Sequence, residues 1–518
     1  MAHKVSQYKK VVIYGAGTMA KKVYDGLLKC GISISFCVVT EKCEHYLVKT
    51  IPIYSIEECK NILKDDETII LLAVSKIYEI EIEDILREQG INRWLCLSSF
   101  VVQDLLQENR NKSLEKHLDE IIEWEIVNIK GDWKTFEIRK KQLELEISTK
   151  EINDNKIIFA IGDLTPRVLK IINALQNTKY EIKILFYPNT SMRSICKEEF
   201  EKSGIIFIEC TCIEELIYHI ITEHAKIVHM FSKIENTIVS YILIKLRPIM
   251  PHLVFEQYDI INGFYYNYPL NWLEEEKFCL ENADGLCNRG YELDCLAQKY
   301  DYHFKGKVLQ FFDYCRNDSL VECEMKFKEE LSICYAGGVI TEKEYPNSPI
   351  VCWLELAKMC KEAQCHLHIY PARWSEDIYA EYIEIEKYNE FFHFHYPVPS
   401  DLLSRELSQY DYGIHPIKAN FLEQEIIAYN RKDKIIYGVT NHFYDYLDAG
   451  IPIIAVSPTL FAKNFAKKGV LIPWTIEEYN FDYLRKNKKK YKEIVKKVQK
   501  ELQIKNHIHK LIEFYDGF

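Results

Sequence analysis

Two glycines near the amino terminus have the spacing of a phosphate-binding turn. Gly15 and Gly17 open a G-x-G-x-x-A pattern that ends at Ala20, between the apolar run Val11 to Tyr14 and the amphipathic segment Met19 to Lys29. Glycines between a strand and a helix let the backbone approach a pyrophosphate, and the amino terminus of the helix favours its negative charge. The pattern predicts a nucleotide-type site at this turn.

Two threonines are expected to complete this amino-terminal site. Thr18 follows the second glycine, and Thr40 stands near the end of the second strand, with Glu41 just beyond. Dinucleotide sites usually have an acid at the end of that strand for the ribose hydroxyls. Three interpretations therefore stay open: dinucleotide binding, binding of another nucleotide or sugar nucleotide, and a purely structural sheet.

A second glycine pair follows a strand further along the chain. Gly337 and Gly338 end an apolar run that starts at Leu331, and their unhindered N–H groups can approach phosphate oxygens. Arg373 comes just after a strand predicted from His366 to Tyr370. Its guanidinium can neutralise a diphosphate, although a lone arginine in a loop is also commonly solvated. These residues predict a second phosphate-binding region.

Acidic residues follow a strand in the middle of the chain. Glu256 and Asp259 come at the end of a strand predicted from His252 to Phe255. Either carboxylate can deprotonate an acceptor hydroxyl as a general base, or can position the acceptor for attack. Asp163 and Arg167, in the loop after an earlier strand, are expected to line the same cleft.

Alternating strand and helix patterns, which restart twice, must position these residues. The first series occupies about the first 100 residues, and the rhythm restarts at Lys156 and again at Leu331. Between the first two series, Gln107 to Glu125 and Thr135 to Lys150 are charged and helical in period. Alternation of this kind predicts an α/β protein with parallel, doubly wound sheets.

The predicted organisation is three Rossmann-like units joined and followed by helices. The expected segments are residues 1–100, a nucleotide-binding-type domain; 101–153, a helical connector; 154–325 and 326–475, the second and third α/β units; and 476–518, carboxy-terminal helices that pack back across those two units.

Composition excludes several classes of protein. A length of 518 residues is too great for one core, and a net charge of −11 argues against a general nucleic-acid binder. The 17 cysteines lack zinc-knuckle spacing, so free buried thiols and no metal site are expected. No signal peptide is recognised, and charges and prolines interrupt the longest apolar stretch, residues 238–255. A cytoplasmic protein with at most peripheral membrane contact is expected.

The first hundred residues resemble the small Rossmann-like domain at the head of bacterial sugar-modifying proteins, including amino-sugar acyltransferases. The likeness rests on Val12 to Ala20, on Ile51 to Glu58 and on Ile69 to Ser75. In that group the domain can hold a nucleotide sugar. The resemblance implies that this domain is able to bind a nucleotide.

The later two units resemble the GT-B glycosyltransferases, in which two facing Rossmann-like domains are followed by a helical tail. Four segments carry the likeness, in order: Glu274 to Leu293, Cys334 to Gly338, Phe392 to Pro416 and Asn441 to Ala455. In that superfamily the first of these segments ends the acceptor-side domain and the second opens the donor-side domain. The third lies beneath the donor base, and the fourth contacts the donor ribose and phosphates. The resemblance implies an acceptor-side domain at 154–325 and a donor-side domain at 326–475.

The resemblance also implies donor contacts. Asp445, five residues before Gly450, stands where the superfamily places the acid that binds the ribose hydroxyls, and Gly450 ends that helix. His442 stands where a lysine is frequent, and His415 ends the strand beneath the base. The first acid of the retaining branch is Tyr437 here, which leaves the donor sugar and its phosphate contacts open.

The function implied is metal-independent and retaining, without a required cofactor. It is transfer of a sugar from a nucleotide diphosphate sugar to a glycan, lipid-linked or protein acceptor in surface polysaccharide or glycoconjugate synthesis. Two other functions stay open: an NAD-dependent oxidoreductase or epimerase centred on the amino-terminal glycines, and a non-catalytic GT-B scaffold that binds glycan. Structural roles stay open too, with Asp445 as an exposed acid beside a lysine and His415 and His442 as satisfied histidines.

Overall fold

A computed structural model of the chain divides into two compact units, residues 1–120 with 189–193, and residues 121–188 with 194–518. The residues that the structure describes are 5, 8–29, 31–40, 42, 48, 50–74, 76–96, 116, 119–122, 138, 140–143, 145, 151–187, 200, 204–210, 213–232, 237–246, 250–265, 270–317, 330–343, 345, 348, 352–372, 374–423, 426–427, 430–455 and 459–518.

The first unit contains a parallel five-stranded sheet in the order β3-β2-β1-β4-β5. Its strands are β1 Lys10–Tyr14, β2 Phe36–Val39, β3 Ile53–Ser55, β4 Thr68–Leu72 and β5 Trp94–Cys96, and its helices are α1 Thr18–Lys29, α2 Ile56–Leu63 and α3 Lys76–Glu88. Strand β4 is buried along its whole length, as expected for a parallel strand covered by helices on both faces. Strand β3 was not predicted from the sequence, because it has three residues, leads directly into a helix and therefore shows no periodic pattern.

The predicted helical connector falls mostly outside the described residues. Residues 119–122 and 140–143, which are described, are helical. The second unit begins with residue 121 and contains two further parallel sheets, which we call the first lobe and the second lobe.

The first lobe has a seven-stranded sheet in the order β12-β11-β10-β9-β6-β7-β8. Its strands are β6 Asn153–Ile161, β7 Glu181–Phe186, β8 Ile206–Glu209, β9 Ala225–Ser232, β10 His252–Gln257, β11 Gly285–Asn288 and β12 Lys307–Gln310. Its helices are α4 Pro166–Leu175, α5 Ile213–Thr222, α6 Thr237–Lys245, α7 Leu270–Asn282 and α8 Glu292–Lys299. Strands β11 and β12 were not predicted from the sequence, because β11 is a short run between Gly285 and Asn288 and β12 is an exposed edge strand between Lys307 and Gln310.

The second lobe has a six-stranded sheet in the order β15-β14-β13-β16-β19-β20. Its strands are β13 Leu331–Gly337, β14 Cys365–Pro371, β15 Phe392–Phe394, β16 Tyr412–His415, β19 Ile453–Ala455 and β20 Leu471–Pro473, with a separate two-stranded ribbon of β17 Ile426–Ile427 and β18 Asn430–Arg431. Its helices are α9 Trp353–Glu362, α10 Ala380–Glu386, α11 Ser400–Leu407, α12 Lys432–Tyr437, α13 His442–Asp448 and α14 Leu460–Lys467.

Two helices at the carboxy terminus contact different lobes. Helix α15, Phe481–Glu501, buries Leu484 and Val495 in the hydrophobic clusters of the second lobe. Helix α16, Ile508–Asp516, buries Leu511 and Tyr515 in the cluster of the first lobe. The tail therefore ties the two lobes together through apolar packing.

The described residues bear on two predictions, the lack of a membrane-spanning helix and the presence of free buried thiols. No helix among these residues is long and apolar enough to cross a bilayer. The cysteines among them whose state is known, such as Cys287 and Cys334, are buried and free of disulfides.

Candidate functional site

The order of strands in the second lobe creates a crevice between β13 and β16. From β13 the chain builds outward through β14 and β15 on one side, and then crosses to β16, β19 and β20 on the other. The loops that follow β13 and β16 therefore leave in opposite directions. In open parallel sheets, ligands bind at this reversal, outside the carboxyl ends of the strands.

A pocket of about 210 Å³, which we call the switch-point pocket, lies at this reversal. Its wall combines the ends of β13 and β16 with the start of α9, the segment around α12 and the residue before α14. The lining residues are Tyr335, Gly338, Ile340, Trp353, His415, Pro416, Ile417, Lys434, Ile435, Gly438, Val439, Thr440 and Thr459.

Helix α13 packs on the sheet behind this pocket through two glycines. A Cβ atom on Gly337 would lie 2.2 Å from Cε1 of His442, and a Cβ atom on Gly413 would lie 2.3 Å from Cγ of Tyr446. The Tyr446 hydroxyl donates a hydrogen bond of 2.8 Å to the carbonyl oxygen of Ile414. Side chains at both glycines would push the helix away, so the two glycines set its distance from the sheet.

One side of the pocket is aromatic. The rings of Tyr335 and Trp353 pack with centroids 4.6 Å apart, and the Tyr335 hydroxyl donates to the carbonyl oxygen of Gly338 at 2.8 Å. Trp353 is 3% exposed, and its Nε1–H has no acceptor among the residues that the structure describes. This wall is therefore apolar, formed by two rings tilted by 53° to each other, with the unpaired donor buried behind it.

The two histidines at the site are neutral at physiological pH. Burial lowers the pKa of His442 to about 3, and the neighbouring His415 adds to that shift. Burial also lowers the pKa of His415 to about 4. Neither imidazole therefore supplies a positive charge, and both remain available as neutral hydrogen-bonding groups.

Lys434 supplies a positive charge to the wall of the pocket. Its Nζ atom lies 2.9 Å from Oδ1 of Asp259, which belongs to the first lobe, and both side chains are partly buried. Glu292 of α8 is buried close by: burial raises its pKa, while Lys434 and Arg289 oppose the rise. The pocket thus borders a charged cluster contributed by the other lobe.

The residue before α13 is held by the first lobe. Arg289, in the loop after β11, donates from Nη1 to Oδ1 of Asn441 at 2.5 Å, and Nδ2 of Asn441 donates to the Tyr258 hydroxyl at 2.6 Å. The Arg289 guanidinium also lies 3.9 Å from the centroid of the Tyr258 ring. These contacts place the first turn of α13 where the two lobes meet.

Glu256 lies in the core of the first lobe, within a buried ionic network. Arg167 donates to Glu256 at 2.6 Å, to Asp313 at 2.9 Å and to the carbonyl oxygen of Phe311 at 2.7 Å. Burial alone would raise the pKa of Glu256, but the charge of Arg167, its hydrogen bonds and the nearby His229 lower it to about 2. A carboxylate that is 1% exposed and this weakly basic is suited to a structural role.

Asp445 belongs to α13 and is not among the residues that line the pocket; the charges that act on it include Lys170 of α4. Burial raises its pKa to about 7, Asp448 and Asp313 contribute to the rise, and Lys170 and Arg316 oppose it. No hydrogen bond to its carboxylate is found within the described part of the chain. Partly buried carboxyl groups with raised pKa values are typical of functional sites.

Other predicted positions divide between the pocket and its surroundings. Gly338 and His415 line the pocket, Gly337 and His442 lie directly behind its wall, and Gly450 (φ +72°) ends α13 at the far end of that helix. Tyr437, at the position of the missing acid, has its ring 4.9 Å from Nζ of Lys299. The predicted Arg373 lies outside the described residues.

The amino-terminal glycines lie at a similar reversal, between β1 and β4 of the first unit. Gly15 has φ +118°, and a Cβ atom there would lie 2.8 Å from the carbonyl oxygen of Ala73. Gly17 is exposed, with no atom within 4 Å of a Cβ built on it. The Tyr14 hydroxyl is 2.9 Å from Oγ1 of Thr40, and the Thr18 side chain is outside the described part of this unit.

Several residues of the site go beyond the sequence prediction. Lys434 and Trp353 lie outside the glycine turns and outside the segments that resemble the GT-B superfamily, so neither pattern could single them out. Asn441 and Arg289 do fall within the segments that carry the GT-B resemblance, and that was the available signal.

No family model matches the chain, and no curated protein matches it either. Solved structures do match. A glycosyltransferase from Rickettsia africae ESF-5 is 12% identical and aligns with a TM-score of 0.50 over 70% of this chain and 99% of its own. The HepE protein of Anabaena, solved in complex with UDP, is 11% identical with a TM-score of 0.49 over 69% of this chain and 98% of its own.

At 12% identity the likeness to the Rickettsia structure is one of fold. It agrees with the two parallel sheets of the second unit, each of which reverses its strand order, and with the helical tail that contacts both. The second unit of this chain has the GT-B fold.

Proposed function

We propose that the protein is a glycosyltransferase that binds a nucleotide diphosphate sugar at the switch-point pocket and transfers the sugar to an acceptor. The observation that carries the proposal is the position of the pocket at the strand reversal of the second lobe, with the first lobe reaching it through the Asp259–Lys434 ion pair. Fold alone does not assign an activity, so the proposal depends on what the pocket can bind.

The aromatic wall suits the nucleoside part of a donor. A base can contact the tilted rings of Tyr335 and Trp353, which both line the pocket. At about 210 Å³ the pocket is smaller than the ~300–1,000 Å³ typical of sites that enclose a whole ligand. We expect the nucleoside to fill it and the diphosphate and sugar to extend toward the first lobe.

Lys434 is the group expected to stabilise the departing diphosphate. Its ammonium is the charged group in the pocket wall, and Thr459 places the first turn of α14 at the same wall. A cation and a helix amino terminus both favour the charge that develops on the leaving group. We propose that transfer needs no divalent metal ion, so that added Mg²⁺ or Mn²⁺ leaves the rate unchanged.

We further propose that the anomeric configuration is retained. In the reaction the bond between the anomeric carbon and the diphosphate oxygen breaks, the acceptor oxygen bonds to that carbon, and the acceptor proton leaves with the diphosphate. The lining residues in the described part of the chain include no carboxylate. Asp259, held by Lys434, is better placed than the buried Glu256 to orient an acceptor hydroxyl.

Asp445 remains our proposed ribose contact. Its carboxylate has no hydrogen bond among the described residues and follows the pocket residue Thr440 by little more than one helical turn. Two ribose hydroxyls donating to it would supply the missing partners and favour its charged form. The donor would then run from the pocket along the first turn of α13.

The acceptor that we propose is a glycan, a lipid-linked sugar or a protein, in surface polysaccharide or glycoconjugate synthesis in the cytoplasm. Part of the basic run of α15 is engaged, since Lys488 pairs with Asp411 at 2.8 Å. Lys489, Lys490 and Lys497 are exposed. Such lysines favour weak contact with anionic lipid, which would bring a lipid-linked acceptor to the enzyme.

The test is to incubate the full chain with UDP, GDP, ADP and CDP and measure its thermal stability, and then to assay sugar nucleotides for release of the diphosphate. We expect one of the four nucleoside diphosphates to raise the melting temperature, and sugar nucleotides with the same base to be hydrolysed or consumed. A diphosphate that binds without any turnover would favour the non-catalytic scaffold. The absence of a shift with every diphosphate would reject the donor site.

A nucleotide site in the first unit is a second candidate, favoured by the open space at Gly17. We propose that a nucleotide phosphate approaches the backbone there, beside the Tyr14–Thr40 pair. Gly17→Val should remove this binding, measured as NAD(H) fluorescence or as a shift with nucleotides, while Asp25→Asn on the exposed face of α1 should not. If NAD binding supported a redox reaction, the oxidoreductase or epimerase interpretation would replace ours for this unit.

A further inference from the structure

Four histidines lie together on one face of the second lobe, away from the switch-point pocket. In β14 the residues alternate so that Leu367 and Ile369 enter the core, while His366 and His368 are on the opposite face. The parallel register pairs His368 with His393 of β15, which brings the histidines of both strands to the same face. His395 follows β15 on that face.

The imidazoles are close enough to share a ligand. Nδ1 of His366 lies 2.9 Å from Nε2 of His393, and the rings of His368 and His393 stack with centroids 4.3 Å apart. One ring nitrogen from each of His366, His368 and His393 can be chosen so that all three lie within 4.8 Å of one another. All three side chains are partly exposed, so an ion can reach them from solvent.

Neighbouring groups hold these rings as they are held at metal sites. Nε2 of His366 lies 2.9 Å from Oε2 of Glu330, an arrangement in which Nε2–H donates to the carboxylate and the lone pair of Nδ1 faces the cluster. His395 fixes His368 through a contact of 2.9 Å between Nε2 and Nδ1. Histidines that bind metals usually donate their other N–H to a carboxylate, carbonyl or water, which is the arrangement of His366 with Glu330.

We propose that His366, His368 and His393 bind one divalent transition-metal ion, with Zn²⁺ as the representative. Nitrogen ligands of this kind suit Zn²⁺, Ni²⁺ and Cu²⁺. With Zn–N bonds of about 2.0–2.1 Å, tetrahedral ligand atoms lie about 3.3 Å apart, which small rotations of these rings can reach. The ion replaces the proton shared by His366 and His393, and water completes its coordination.

The consequence of binding is structural. Among the described strands, β15 lies at the edge of the sheet and pairs with β14 over three residues. An ion bound by His393 of β15 and by His366 and His368 of β14 cross-links the edge strand to its neighbour. The expectation from cysteine spacing that the chain has no metal site concerned a different set of ligands. Here two H-x-H pairs, 27 residues apart, meet because the strands pair in register.

The test is to measure Zn²⁺ binding to the chelator-treated full chain by calorimetry and by metal analysis after dialysis. We expect one Zn²⁺ per chain and a raised melting temperature in the wild type, and loss of both in His393→Gln. His303→Gln is the matched control, since that side chain is 81% exposed. Glu330→Gln should bind about 10- to 100-fold more weakly.

Two further measurements keep the outcome decisive. If His393→Gln does not fold, His366→Gln takes its place, because that side chain lies beside the exposed carboxylate of Glu330. The spectrum of the Co²⁺-loaded protein should lack thiolate bands, which would reveal binding at cysteines instead. Equal Zn²⁺ binding by wild type and variant, or none by the wild type, overturns the proposal. Nucleotide diphosphate shifts, measured in parallel, report separately on the donor site.

Discussion

A Cβ atom on Gly337 would lie 2.2 Å from Cε1 of His442. The end of strand β13 and the first turn of helix α13 therefore touch at this point with no room for a methyl group. Gly338, the next residue, faces the pocket with no atom within 4 Å of such a Cβ. One glycine holds the helix against the sheet, and its neighbour leaves space for a ligand.

Gly337→Ala should destabilise the protein, because the added methyl group must displace the His442 ring or the helix that carries it. Overpacking of this kind typically costs about 1–3 kcal/mol. Gly338→Ala is the matched control and should change the free energy of unfolding by less than about 0.5 kcal/mol. The two variants are compared by urea unfolding. Equal free energies of unfolding would show that the His442 ring can move aside without destabilising the protein.

Lys434→Met should weaken binding of the nucleoside diphosphate far more than binding of the nucleoside. Loss of a hydrogen bond to a charged group costs about 1.5–3 kcal/mol, which corresponds to at least about a tenfold loss of affinity. Lys463→Met, at an exposed position on α14, serves as the control. Calorimetry with both ligands separates the effects. An equal loss for diphosphate and nucleoside would place Lys434 at the base instead of the phosphates.

Asp445→Asn should stabilise the free protein at pH 8 while weakening nucleotide binding. The folded pKa of Asp445 is about 7, above the unfolded value of about 3.9, so its ionisation costs stability as pH rises between these values. Removal of the charge should therefore add on the order of 2 kcal/mol at pH 8, less than the pKa difference alone implies because the side chain is only partly buried.

The comparison for Asp445 is urea unfolding at pH 5 and pH 8, together with a nucleotide titration. Asp482→Asn, at an exposed acid that opens α15, is the control. A variant that is less stable than the wild type at pH 8 and still binds nucleotide would identify Asp445 as a structural acid paired with Lys170.

Glu256→Gln should destabilise the first lobe in a pH-dependent way. The folded pKa of about 2 lies below the unfolded value of about 4.3, so the stabilisation is complete above about pH 4.3 and is lost as pH falls through 2. The variant should be less stable by about 3 kcal/mol at pH 6. That difference should shrink toward pH 3, as measured by urea unfolding. A deficit independent of pH would mean that packing, and not the charge of Glu256, is responsible.

The longer buried strands could be predicted from the sequence because they are mostly apolar runs. Strand β13, which ends at Gly337, follows this rule over most of its seven residues. Strands β11, β12 and β20 were not predicted, because all three are short and β11 and β12 end in the polar residues Asn288 and Gln310. Their pairing depends on neighbouring strands that come from elsewhere in the chain.

Glu256 and Asp259 show the same limit at the level of the site. In the sequence they are equivalent acids after one strand, three residues apart. In the structure Glu256 turns into the core against Arg167, 89 residues away, while Asp259 meets Lys434, 175 residues away. No local pattern encodes either partner, because each is brought into place by the packing of a different element.

The sequence by itself determined that the chain is an α/β protein with repeated doubly wound units and glycine turns after its strands. Local apolar periodicity and backbone freedom dictate both features. Only the tertiary structure decided which charges are neutralised, which histidines share a face, and that Lys434, Trp353 and Thr459 surround one pocket. Those relationships join residues far apart in the chain, and they exist only once the sheets have formed and the lobes have packed together.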